Sequence, residues 1–206
     1  MSDEHLRAVR ARFDDRAAEY DDSSMHRALA AEVAAFAEVQ PGSDVLDVAT
    51  GTGLVLRSLR DARVGARLTG VDLSPGMLAV ARERLPEATF VEADATELPL
   101  PDASVDVVTC VTGVHLFPDP AAAIAEWARV LRPDGRAVTA TFGRMDPAEH
   151  GGRQGAPQPS AYPTHHDLFE TPELLAAAVA PAGFRVVRHR WWTSGGDTML
   201  LAELAR

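Results

Sequence analysis

Lysine is missing from this 206-residue chain; all 20 of its Lys-plus-Arg residues are arginine. Without an amine side chain there can be no Schiff base and no phosphate-gripping lysine of the P-loop kind. Asparagine is absent too, and isoleucine occurs once, at Ile124, a skew that reads as codon bias in a GC-rich genome rather than as function. The one cysteine, Cys110, can form neither an internal disulfide nor a multi-thiolate zinc site. It lies in the apolar run VDVVTCVTGV, which predicts a buried structural thiol. No stretch approaches the roughly 20 apolar residues of a membrane span. The N-terminal MSDEHLRAVRARF has no apolar signal core, so a cytoplasmic protein with no membrane association is expected. Positive charge is also scarce, and the formal net charge is −10. An acidic surface repels phosphate backbones, which disfavours general nucleic-acid binding. The densest basic cluster is only Arg185, Arg188, His189 and Arg190.

What is present fits one domain, long enough to hide roughly 70% of its unfolded surface. Residues 3–39 predict two helices. His5, Val9, Phe13, Ala17 and Tyr20 recur at helical spacing, AEYDDSS interrupts, and an Ala-rich stretch runs from Met25 to Val39. Apolar strands then alternate with helices. Strands are expected at 44–48, 66–72, 88–93, 104–111 and 136–142, with a turn at Arg132-Pro133-Asp134-Gly135 before the last of these. Helices are expected at 54–62, after the Ser74-Pro75 cap, and at 120–131. Residues 143–170 are rich in Gly, Pro and polar residues and too long for an idle connector. Thr171-Pro172-Glu173 caps one more helix, and strands 184–192 and 198–205 are joined by TSGGD as a hairpin. The pattern predicts a doubly wound α/β fold: a mostly parallel seven-stranded sheet, a C-terminal antiparallel hairpin and N-terminal lid helices.

In an open parallel sheet, ligands bind beyond the C-terminal strand ends, where strand order reverses. The first strand ends in Asp47, and Gly51-Thr52-Gly53 follow. Glycine lets the backbone approach a ligand, and the N–H groups of the helix starting there can hold a carboxylate. Asp72 ends the second strand, where a carboxylate can accept both hydroxyls of a ribose. Asp94 ends the third strand in FVEADA, where it can accept from an exocyclic adenine amine while Ala95 leaves room for the ring. Leu73 and Met77 stand ready for apolar contact. Each signal alone is weak, since a strand-end Asp is often only a helix cap. Their joint order points to a nucleoside ligand. A dinucleotide fold needs G-x-G-x-x-G, and Leu56 stands where the third glycine belongs.

These segments resemble class I, Rossmann-like S-adenosylmethionine-dependent methyltransferases. VLDVATGTG is similar to their first motif, GVDLSPGMLAVAR to the second, and EADATELPLPDASVDVV to the third with its lead-in to strand four. VLRPDGR resembles the family's leucine–basic–proline–glycine–glycine turn, and RFDDRAAEYDD resembles the lead-in of the ubiquinone/menaquinone-biosynthesis group. The likeness spans about residues 40–142. It departs at Ala49, where a glycine is usual, and at Asp134, which replaces a turn glycine. The resemblance implies that Asp47, Ala49, Gly51 and Gly53 hold the methionine portion of S-adenosylmethionine. It implies that Asp72 holds the ribose beside Leu73 and Met77, and that Asp94 and Ala95 flank the adenine. It also implies a Val111 carbonyl near the sulfonium and Tyr20 at the cofactor carboxylate, with S-adenosylhomocysteine as product.

Methyl transfer by in-line displacement mainly requires alignment and exclusion of water. A base adds about 10²–10⁴-fold where the nucleophile keeps its proton. Candidate catalytic side chains are Tyr20, His115 at the expected substrate rim, and His166 from the His165-His166 pair. Each histidine also has a plainer reading, as rim packing or as a solvated surface group. The His-His-Asp run lacks a partner motif, so no metal is expected. The domain, 1–206, divides into a lid (1–39), a cofactor-binding core (40–142), a substrate loop (143–170) and a C-terminal helix and hairpin (171–206). A pocket lined by Phe13, Tyr20, Phe142, Tyr162 and Phe169 predicts a moderately apolar small-molecule methyl acceptor. The chain is expected to act as a monomer or homodimer without nucleic acid. Two alternatives stay open. One is a same-fold enzyme using the bound cofactor for cyclisation, rearrangement or decarboxylation; the other is a non-catalytic cofactor-binding subunit.

Overall fold

The central strands β1 (Asp44–Val48) and β4 (Val105–Val111) are buried on both faces, as strands between helical layers are. The remaining strands are β2 (Arg67–Asp72), β3 (Thr89–Glu92), β5 (Leu131–Phe142), β6 (Arg185–Ser194) and β7 (Asp197–Ala205). The helices are α1 (Ser2–Arg16), α2 (Ser24–Phe36), α3 (Leu54–Asp61), α4 (Pro75–Arg84), α5 (Pro120–Val130) and α6 (Pro172–Val179). The computed structural model describes residues 2–143 and 162–206. One sheet has the order β3-β2-β1-β4-β5-β7-β6, parallel through β5, with β7 antiparallel to both of its neighbours. Strand order reverses between β1 and β4. Among the described residues, no helix is long and apolar enough to cross a membrane.

Alternating side chains of the central strands feed two cores. Val45, Val107 and Val138 pack under α2, α3 and α4, whereas Leu46, Val108 and Cys110 pack under α5 and α6 with Trp127 and Phe169. Burial pushes the Cys110 thiol up, which makes it an inert core group. Helix starts follow the caps in the sequence: Ser74 Oγ accepts from the Met77 N–H at 3.0 Å, and Asp119 and Thr171 cap α5 and α6 in the same way. Gly195 and Gly196 close the final hairpin at φ 61° and 95°, as a tight two-residue turn requires.

Two expectations need correction. The turn expected at 132–135 is absorbed into β5, which begins directly after α5. The ladder jumps from Val105 opposite Leu131 to Val107 opposite Arg136, so the Pro-Asp-Gly segment bulges within the strand. Arg132 holds that bulge by ion pairs to Asp44 and Asp106. The first helix stops at Arg16 rather than running to Tyr20, which begins a short 3-10 turn. Of the expected substrate loop, residues 144–161, with His150, lie outside the described residues.

Helix α1 lies across the C-terminal ends of the strands, yet none of residues 3–16 is fully buried. Polar contacts fix it. His5 Nε2 meets the Leu116 carbonyl at 2.9 Å, Arg10 pairs with Glu92 at 3.0 Å, and Asp14 Oδ1 accepts from Ser74 Oγ at 2.5 Å and from the Gly76 N–H at 2.9 Å.

Packing is close at Gly70 in β2, opposite Phe90 of β3. A Cβ there would stand 2.8 Å from the Phe90 ring and from Thr50 Cγ2. Gly70→Val should therefore cost about 1–3 kcal/mol of stability by overpacking. In a Phe90→Leu background the loss should shrink. Urea denaturation of the four variants measures both, and equal losses in the two backgrounds would place the clash elsewhere.

Candidate functional site

The ends of β1, β2, β3 and β4 surround a cleft at the reversal point, beneath α1. It comprises a larger cavity of about 710 Å³ and a smaller one of about 410 Å³. The two share a wall made by Tyr20, Ala49, Gly51, Val111 and Thr112. Three of these lie in the left-handed backbone region: Ala49 at φ 58°, Gly51 at φ 55° and Thr112 at φ 51°. For a β-branched threonine this conformation is strained and has to be held by its surroundings. The Thr112 N–H bonds the Ala140 carbonyl at 2.8 Å. Gly113 behind it leaves space that a side chain would deny, since a Cβ there would stand 2.7 Å from the Ala49 Cβ.

Three carboxylates face the cleft from successive strand ends. Asp47 is only 2% exposed. Its oxygens accept from Thr109 Oγ1 of β4 at 2.6 Å and from Thr50 Oγ1 at 2.7 Å, while burial pushes its pKa up to about 6. Asp72 accepts from the Gly51 N–H at 2.7 Å and the Ser74 N–H at 2.9 Å, and burial raises its pKa as well. It thus orders the glycine loop and the start of α4 together. Asp94 Oδ1 accepts from the N–H and hydroxyl of Thr96, so it doubles as a local cap. Asp72, Asp94, Leu73, Met77 and Ala95 line the larger cavity, and Asp47 lines the smaller one.

Other expected site residues fall differently. Gly53 lines neither cavity; it caps α3 at φ 77°, where an added Cβ would meet Phe90 at 3.4 Å and Ala81 at 3.5 Å. His115 was expected at the rim but is buried, 5% exposed, one layer behind the wall formed by Gly113 and Leu116. Its ring stacks on His166 at 4.1 Å and meets the edge of Phe142 at 5.5 Å. Burial, then the neighbouring His166, lowers its pKa to about 3. Segment packing explains this burial: the His165 N–H bonds the His115 carbonyl at 2.8 Å and draws residues 162–169 over it. Of the expected pocket aromatics, Phe13 and Tyr20 line the cleft, whereas Phe142, Tyr162 and Phe169 do not.

Several residues here were not singled out from the sequence. His26 lines the smaller cavity and stacks on Tyr20 at 4.4 Å, with 19° between the rings. Thr112 is in hydrogen-bonding reach of the Tyr20 hydroxyl, whose pKa is raised by burial. Asp21 fastens the Tyr20 turn to the glycine loop by accepting from Thr52 Oγ1 at 2.5 Å and pairing with Arg57. The RFDDRAAEYDD lead-in contains Asp14, Tyr20 and Asp21, but nothing in its spacing says where they land.

Residues 46–139 match the family model described as a methyltransferase domain. The demethylmenaquinone methyltransferase of Thermus thermophilus is 37% identical over 165 residues, covering 69% of this chain and 74% of that protein. The fold is similar to the crystal structure of the 4+2 cyclase SpnF, with TM-score 0.70 and 20% identity over 87% of this chain and 81% of that one. It is also similar to magnesium protoporphyrin IX methyltransferase from Synechocystis with bound S-adenosylmethionine, at TM-score 0.62 and 20% identity over 87% and 76% of the two chains. These two structures speak to the fold alone; the Thermus relative, matched over more than two thirds of its length, speaks to the family. The chain belongs to the class I S-adenosylmethionine-dependent methyltransferases, of the menaquinone and ubiquinone type.

Proposed function

We propose that this methyltransferase acts on a small, largely apolar metabolite held in the cleft beneath α1. The carrying observation is the cleft's roof. Leu6, Val9 and Phe13 of α1 line the larger cavity together with Leu116, Phe117 and Pro118. The resulting space has the size and apolar character of a small-molecule site. The name of the Thermus relative puts that protein's acceptor among quinone precursors, which is compatible with such a wall. The acidic net charge supports a reading without nucleic acid.

The residues present fit S-adenosylmethionine. Gly51 leaves the wall bare, and a Cβ built there would stand in the cleft 4.0 Å from Met77 Sδ. Asp47 with the Ala49–Gly51 turn would hold the amino-acid portion, Asp72 with Leu73 and Met77 the ribose, and Asp94 with Ala95 the adenine. Gly53 would contribute indirectly, by letting α3 start where it does. The cofactor supplies a methyl group on a positively charged sulfur that is already a good leaving group. The chain's own task is then alignment and dryness. Tyr20 and the Val111 main chain stand at the wall shared by the two cavities, where they would border the reacting groups. His115 and His166 stand behind that wall and would support it. As a neutral, buried imidazole stacked on its neighbour, His115 is poorly placed to take a proton from an acceptor.

Three measurements test this reading. Product formation should release S-adenosylhomocysteine one for one; product without it would favour cyclisation or rearrangement. Asp72→Ala should weaken S-adenosylhomocysteine binding at least about tenfold, the size of a charge-assisted hydrogen bond. Unchanged affinity in calorimetry would remove Asp72 from the ribose. His115→Ala should lower stability by about 2–4 kcal/mol through the void it leaves, with S-adenosylhomocysteine affinity within about twofold. Wild-type stability with lost turnover would return His115 to the chemistry.

A further inference from the structure

The two cavities are lined by three carboxylates, Asp47, Asp72 and Asp94, and among the described lining residues by one basic side chain, His26. An amino-acid tail brings a carboxylate of its own into this acidic cleft, and some group has to receive it. Taking the cofactor assignment as its basis, we propose that His26 receives the carboxylate of the cofactor's amino-acid tail, across the smaller cavity from Asp47, which receives the ammonium.

The geometry around His26 supports this. It sits in the first turn of α2, where its backbone N–H is taken by the Ser23 cap at 3.2 Å. Leu29 and Ala30, one turn on, give the cavity an apolar side. Its ring is held flat on the Tyr20 ring, and Tyr20 is anchored to the glycine loop through Asp21. His26 Nδ1 is buried and has no partner among the described residues. Buried polar atoms are rarely left so. Arg16 lies over the Tyr20 ring at 5.6 Å but lines neither cavity, and Arg57 is occupied by Asp21.

The electrostatics point the same way. Burial lowers the His26 pKa and raises that of Asp47, so the walls by themselves favour neutral forms of both. His26 also faces the Tyr20 carbonyl, which favours its protonation, Arg16, which opposes it, and Asp197 and Asp21, which favour it. Asp47 faces Asp72, which opposes its ionisation, and the hydroxyls of Thr109 and Thr50, which favour it. A zwitterionic tail stabilises the charged forms of both, and the imidazolium gains from the Tyr20 π face. At pH 7.5, above the Asp47 pKa of about 6, Asp47 is already ionised and His26 takes up one proton from solvent on binding. This uptake makes affinity rise as pH falls towards about 6; below that, Asp47 has to release a proton on binding, the two proton transfers offset each other, and the rise ends.

The test is calorimetry of the whole chain with S-adenosylhomocysteine at pH 7.5, in two buffers of different ionisation enthalpy. The control ligand is 5′-methylthioadenosine, which lacks the amino-acid tail. The observed enthalpy for S-adenosylhomocysteine should differ between buffers in the sense of proton uptake, and that for 5′-methylthioadenosine should not. His26→Ala and His26→Gln should weaken S-adenosylhomocysteine about tenfold or more and abolish the uptake, while leaving 5′-methylthioadenosine affinity intact as a check on the fold. Wild-type affinity and uptake in both variants would overturn the assignment, as would an equal loss for both ligands. If the unaltered chain binds neither molecule, the cofactor-site reading itself falls.

Discussion

A carboxylate buried at the meeting point of two diverging half-sheets is the constraint from which the rest of the site follows. Asp47 ends β1 with almost no exposure, and a buried acid of that kind has to find partners. It takes one hydroxyl from β4 through Thr109 and one from the loop after β1 through Thr50. Those two bonds tie the strands on either side of the order reversal and set the path of the glycine turn. Asp72 repeats the arrangement one strand over, joining that turn to the start of α4 through two backbone N–H groups. The groups that face the cleft are therefore the groups that hold its walls, so the cleft is shaped before anything enters it.

Much of this was legible in the sequence because the chemistry is local. Apolar runs bounded by glycine, proline and aspartate place β1 at Asp44–Val48 without error, and Ser74-Pro75 and Thr171-Pro172 mark helix starts where the structure has them. The start of β5 was misread because Pro133 and Gly135 carry the signals of a turn. Tertiary ion pairs from Arg132 to Asp44 and Asp106 instead keep the segment beside the sheet. The burial of His115 was hidden for a similar reason: it depends on residues 162–169, some fifty positions away in sequence, folding back over it.

The smaller cavity was the least legible part. Spacing from Asp47 to Asp94 announces three strand ends, but the opposite wall comes from the Tyr20 turn and α2, and no periodicity tells where that pair will dock. Thr112 is a plain strand-end threonine in the sequence. Its left-handed backbone emerges only once the Ala140 carbonyl and the space above Gly113 are in place. Strain of this kind persists where the surrounding structure over-determines it, and here it sits at the wall common to both cavities.

Helix α1 shows what kind of motion such a site permits. It spans the cleft without one fully buried side chain among residues 3–16, and a short series of polar contacts joins the half-buried Leu6, Val9 and Phe13 in holding it to the body. A segment attached in this way opens locally at a small fraction of the cost of global unfolding. Opening of the roof would then need no disturbance of the sheet. Because the Arg10–Glu92 pair is solvent-accessible, ions screen it, and the grip of the roof on the end of β3 loosens as salt rises.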